Sequence, residues 1–136
     1  MSNSEQTLSI IKPDAVERNL IEKIKDIFIK NKLNIKNSKK IHITKDEAAE
    51  FYKVHQSKPF YNDLCAYLSS GPIVVMILEG EDAVKKNRKI MGATNPKDAE
   101  ENTIRQLYGI SIDKNSVHGS DSLDNAKKEV DFFFKD

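Results

Sequence analysis

IVVMIL, Ile73 to Leu78, is an unbroken apolar run with a Gly71-Pro72 turn before it and Glu79-Gly80 after it. A run of this length between turn signals predicts a central strand buried on both faces. The sheet it belongs to must then be covered by helices, and the flanking sequence supplies them. Upstream, Thr7 to Ile11 (TLSII) predicts a first strand, stopped at Lys12-Pro13 because proline cannot donate to a ladder. From about Asp14 to Leu33 the spacing of Leu20, Ile24, Ile27 and Phe28 predicts a helix. Asn34 to Ile43 predicts a second strand with Ile35, Ile41 and Ile43 as its apolar positions. Thr44-Lys45-Asp46-Glu47 has the spacing of a capping box, so a helix starts there, with Ala48, Phe51, Tyr52 and His55 as its stripe. Pro59 opens another short helix to about Ser69.

Downstream, Glu81 to Met91 predicts a helix carrying Lys85, Lys86, Arg88 and Lys89. Gly92 to Asn102 predicts a long loop of the functional kind, and Thr103 to Tyr108 one or two helical turns. Val117-His118 has room for a brief edge strand. Asp121 to Phe134 predicts a last helix with Leu123, Ala126, Val130 and Phe133 inward. Strands alternating with helices give an α/β (α+β) class. The order fits a ferredoxin-like βαββαβ sheet covered by helices, with a helix-hairpin insertion and a long loop before the last strand. With no repeat, low-complexity tract or linker, residues 1–136 are expected to form a single domain.

A content of 38% hydrophobic and 32% charged residues suits a globular protein with a solvated surface. The formal net charge of +1 gives no global attraction to nucleic acid or membrane. The lone Cys65 excludes an internal disulfide and is expected as a packed thiol. Met1 to Gln6 is short and polar, no run approaches spanning length, and a cytoplasmic protein is expected. P-loop, GxGxxG, CxxC, HExxH and GxSxG patterns are all missing.

The chemistry concentrates in NSVHGSD, Asn115 to Asp121. His118 beside Gly119, with hydroxyls at Ser116, Ser120 and Ser122 and the Asn115 amide, can act as nucleophile or proton carrier near neutral pH. Read singly, it is an ordinary loop histidine. Glu129 borders the buried stripe of the last helix, where a carboxylate needs a donor, and the His118 ring N–H is one; an exposed Glu paired with Lys or Arg is the alternative. Lys12 at a strand end and Arg88 and Arg105 flanking the long loop would cradle phosphate if they converge. Each alone is a solvated charge. Tyr52 and His55 share a helix face, and Phe60 is either a stacking platform or plain core.

TLSIIKPDAV (Thr7 to Val16), FYKVH (Phe51 to His55), KPFY (Lys58 to Tyr61), SGPIVVMILEG (Ser70 to Gly80), NRKIMGATNP (Asn87 to Pro96), TIR (Thr103 to Arg105) and NSVHGSDS (Asn115 to Ser122) together resemble the nucleoside diphosphate kinases, in order and across nearly the whole chain. The resemblance implies transfer of the γ-phosphoryl of a nucleoside triphosphate to a diphosphate, by a ping-pong route through phosphohistidine at His118. It implies that Glu129 holds the ring with Ser120 assisting, and that Tyr52 sits beside Lys12. Phosphates would meet Lys12, His55, Arg88, Thr94 and Arg105, and the ribose would meet Lys12 and Asn115. The base would stack on Phe60, in a slot completed by Leu64 and Ile112, with broad base tolerance. It further implies Mg²⁺ carried on the phosphates with few or no direct protein ligands, and a homo-oligomer, hexamer or tetramer. No membrane and no specific nucleic acid are expected as partners. A ferredoxin-like domain holding nucleic acid through the basic helix 85–89 is the alternative. Departures from the family pattern are Glu22 and Lys32 at usual glycines, Glu101-Asn102 at a usual Pro-Gly, and Leu107 at a usual acid. Asn102 is expected to keep the left-handed turn, because Asn tolerates it best among non-glycine residues.

Overall fold

The computed structural model describes residues 4–53, 56–111 and 114–134. IVVMIL lies inside β3 (Ile73–Glu81), which is central in a sheet of order β2-β3-β1-β4. The others are β1 (Ser4–Ile11), β2 (Asn34–Ile41) and β4 (Val117–Gly119), and every neighbouring pair is antiparallel. This is the ferredoxin-like order expected from the element sequence.

Alternation along the strands sorts side chains onto two faces. Ile11, Val74, Met76, Leu78 and Val117 pack against α2 (Ile21–Lys30) and α5 (Ala83–Met91). Leu8, Ile10, Ile73 and Val75 pack against the hairpin α3 (Lys45–Phe51) and α4 (Tyr61–Leu68), and against α7 (Leu123–Phe134). Cys65 is buried in this second layer.

Several boundaries differ from the sequence expectation, each for a local reason. The helix expected over Asp14 to Leu33 is two, α1 (Pro13–Glu17) and α2, because Asn19 turns left-handed at φ +60°. The helix after Pro59 starts at Tyr61, and β2 stops at Ile41. The last helix starts at Leu123, since Ser122 Oγ accepts from Asn125 N (3.1 Å) and caps it. The long loop contains a 3₁₀ turn over Pro96–Asp98 and leads to α6 (Ile104–Tyr108). Asn102 keeps the left-handed turn at φ +71°, as expected, while Lys32 adopts φ +66° where a glycine would be unstrained. The capping box is present, with Glu47 N to Thr44 Oγ1 at 3.1 Å and Thr44 N to Glu47 Oε1 at 2.9 Å.

Candidate active site

Register decides which way the histidine faces. In β4, His118 pairs with Ile10 and Gly119 with Ser9, so His118 shares the face of α3 and α7 while Gly119 faces α5. Gly119 is needed for close approach there, with no positive φ involved. A Cβ on it would lie 2.4 Å from Asn87 Nδ2 and 2.7 Å from Met91 Cε.

α7 brings Glu129 onto the ring. His118 Nε2 lies 3.0 Å from Glu129 Oε1, and Ser120 Oγ donates to the same oxygen at 2.8 Å. Ser120 is fully buried and its hydroxyl also accepts from Leu8 N (3.4 Å), tying the carboxylate to β1. A hydrogen bond to a charged group contributes about 1.5–3 kcal/mol. With Nε2–H donating to the carboxylate, the lone pair lies on Nδ1, the nitrogen available for attack. The His118 and Glu129 side chains keep 21% and 20% of their surface, so the pair is shielded yet reachable.

α3 supplies a wall. The Phe51 ring meets the imidazole edge-on at 5.2 Å, and Tyr52 stands at 6.3 Å. Burial first, then the charge of Glu129, push the Tyr52 hydroxyl well above its ordinary value, so it stays protonated. Phe51, expected only as core, thus lies against the His118 ring; its place one residue before Tyr52 was the available signal.

Lys12, at the end of β1, is buried and gives its Nζ to Asn115 Oδ1 at 2.9 Å. Asn115 Nδ2 in turn donates to the Thr94 carbonyl at 3.1 Å, which links the long loop to β1. Ser116 follows at φ +75°, with Val117 N bonded to Asn115 O (2.9 Å), a γ-turn. The Ser116 carbonyl accepts from Lys12 N at 2.8 Å.

Arg105 on α6 donates from Nη1 to Gly92 O (3.1 Å) and from Nη2 to Val117 O (2.9 Å), joining the loop to β4, the strand of His118. Burial, and then the charge of Arg88, lower its pKa to about 10, so it remains a cation at neutral pH. Arg88 is exposed on α5 and helps the Asn125 amide hold the Asp121 carboxyl below its ordinary range. A guanidinium whose charge a second one disfavours is an environment for an anion. Gly92 is required at φ +86°, where an added Cβ would come within 2.5 Å of Thr103 Oγ1.

Phe60 stands 44% exposed at the start of α4, and Leu64, one turn on, is partly buried against the second core layer. His55 and Ile112 lie outside the described residues. Sequence reasoning missed Asp14, Arg18 and Tyr67, which bond around the γ-turn. An acid just after Pro13 at a strand end was the only hint. Among the described residues there is no group of three or more His, Cys, Asp or Glu able to hold a metal, and no helix long and apolar enough to cross a membrane.

A family model described as nucleoside diphosphate kinase matches residues 5–136. The chain is similar to the nucleoside diphosphate kinase of Nitratiruptor sp., with 60% identity covering 96% of this chain and 95% of that protein. Against that of Campylobacter jejuni, identity is 58% with 96% of each covered. Among solved structures, the Aquifex aeolicus nucleoside diphosphate kinase aligns with a TM-score of 0.95 at 43% identity, covering 97% of this chain and 96% of that one. Such phosphotransferases typically work with a divalent cation. The similarities favour phosphoryl transfer over nucleic-acid binding through the basic helix.

Proposed function

Because the chain belongs to the nucleoside diphosphate kinase family, we propose that His118 Nδ1 is the nucleophile of a ping-pong transfer between nucleoside phosphates. Nδ1 attacks the γ-phosphorus, the β–γ bridging P–O bond breaks, and the diphosphate leaves with that oxygen. A second diphosphate then attacks the phosphohistidine, and the N–P bond breaks to release a triphosphate. The proton stays on Nε2, hydrogen-bonded to Glu129 throughout, so the ionised carboxylate fixes the ring and offsets positive charge on it. The observation that carries this assignment is the 3.0 Å contact of Nε2 with Glu129 Oε1, braced by Ser120.

Lys12, Arg88, Arg105, Thr94 and His55 hold the phosphates, and Tyr52 stands beside the transferring group as a protonated hydroxyl. Asn115 and Lys12 reach the ribose. Phe60 stacks on the base, with Leu64 and Ile112 closing the slot. Stacking is tolerant of base identity, so donors and acceptors of all bases are used. The substrate is the Mg²⁺–nucleotide complex. A cradle of cations suits an anion whose own oxygens coordinate the ion, and charge neutralisation with positioning is what phosphoryl transfer needs. The whole chain acts as one domain in the cytoplasm, in a homo-oligomer, hexamer or tetramer.

Incubation with γ-labelled ATP and Mg²⁺ tests the assignment. Acid-labile, base-stable label on the wild type, absent from His118→Ala and discharged by any of several nucleoside diphosphates, is the expected outcome. Label that persists in His118→Ala overturns it.

A further inference from the structure

Ser116 bears a side chain at φ +75°, a conformation costing about 1–2 kcal/mol for an L-residue, so its surroundings must hold it there. They do so through a cluster centred on the buried Asp14 carboxylate, with Tyr67 part-buried and Arg18 reaching in from the surface. Ser116 Oγ donates to Asp14 Oδ2 (3.3 Å) and accepts from Arg18 Nη2 (3.4 Å). Arg18 also meets Asp14 Oδ2 at 3.2 Å and the Tyr108 carbonyl. The Tyr67 hydroxyl donates to Asp14 Oδ1 and accepts from Asp14 N at 2.9 Å. The Asp14 side chain keeps only 4% of its surface. Three segments therefore meet on one carboxylate, α1 with its C-cap, α4 and the γ-turn, and Arg18 ties in the end of α6.

We propose that Asp14, Arg18, Tyr67 and the Ser116 hydroxyl form a clamp that positions the nucleotide-binding half of the active site. The turn it holds takes the Lys12 N–H on its carbonyl, and the adjoining Asn115 takes the Lys12 ammonium. Lys12 and Asn115, the two groups assigned to the ribose, are thereby referenced to Asp14. His118 is referenced elsewhere, to Glu129, Ser120 and the β1 ladder. The clamp rests on the kinase assignment and deepens it, and it separates two functions: loosening it weakens nucleotide binding and leaves transfer in the saturated enzyme intact. Burial, and then the bond to Asp14, push the Tyr67 hydroxyl far above its ordinary value, which keeps it a donor to the carboxylate.

Ser116→Gly distinguishes positioning from mere support, because glycine relieves the φ strain while deleting the hydroxyl. The expected result is a roughly fivefold to tenfold rise in KM and in the calorimetric Kd for Mg²⁺–ADP, the loss of about one hydrogen bond. kcat should stay within about twofold, and the melting temperature should be unchanged or higher. Ser116→Ala, which keeps the strain, should show the same rise in Kd, and Tyr67→Phe a smaller one. Wild-type affinity in Ser116→Gly overturns the clamp, as does a fall in kcat at unchanged Kd. If the wild type itself neither binds ADP nor takes label, the kinase assignment and the clamp fall together. Normal wild-type behaviour with unaffected variants sinks the clamp alone.

Discussion

On one face of β1, Leu8 and Ile10 lie under α3, α4 and α7, and the polar groups beside them are bonded: Ser120 to Glu129, Glu129 to His118, and Lys12 to Asn115. On the other face, toward α5, Thr7, Ser9 and Asn87 are fully buried, and their side-chain polar atoms have no protein partner among the described residues. The difference separates two tasks. Directional bonds hold the His118 imidazole in one orientation, as the proposed attack on phosphorus requires, whereas the α5 face needs only to pack closely beneath Gly119.

Breaking the bonded face should have the largest effect. Glu129→Ala should lower turnover by a factor on the order of 10² with the circular dichroism spectrum unchanged. Unaltered turnover would mean that the carboxylate does not orient the ring. Crowding the packed face comes next: Gly119→Ala puts a Cβ 2.4 Å from Asn87 Nδ2 and should cost about 1–3 kcal/mol in urea unfolding. A midpoint like the wild type's would show that α5 slides freely, which contradicts close packing. Smallest is the removal of unbonded hydroxyls. Ser9→Ala and Thr7→Val should be neutral or stabilising by up to about 1 kcal/mol, without effect on turnover. A clear loss of stability in either would show that both faces depend on bonded polar groups.

Much of this was legible because it depends on local pattern. The apolar run in β3, the Thr44–Glu47 box and the period of α7 state their structure outright, and α7's period put Glu129 at the border of a buried stripe. The family resemblance then joined Lys12, Asn115 and Glu129 to His118. What stayed hidden depends on side chains meeting across long separations. Asp14, Tyr67 and Ser116 are far apart in the chain, and each reads alone as an ordinary polar residue. The break at Asn19 was hidden too, since Val16, Leu20, Ile24 and Phe28 keep a four-residue spacing across the left-handed residue without a visible interruption. Ser122, grouped by sequence with the site hydroxyls, serves the helix start instead.

Arg105 spends two N–H groups on the carbonyls of Gly92 and Val117. A guanidinium has five, so its capacity for a visiting anion is already divided. The same residue works as a stitch: it fastens the departure of the 93–102 excursion directly to the strand bearing His118. An insertion at 97–98 falls outside that stitch, whereas the Glu100 carbonyl accepts from Thr103 N and Thr103 Oγ1 at the cap of α6, so a nick there would loosen the helix that carries Arg105.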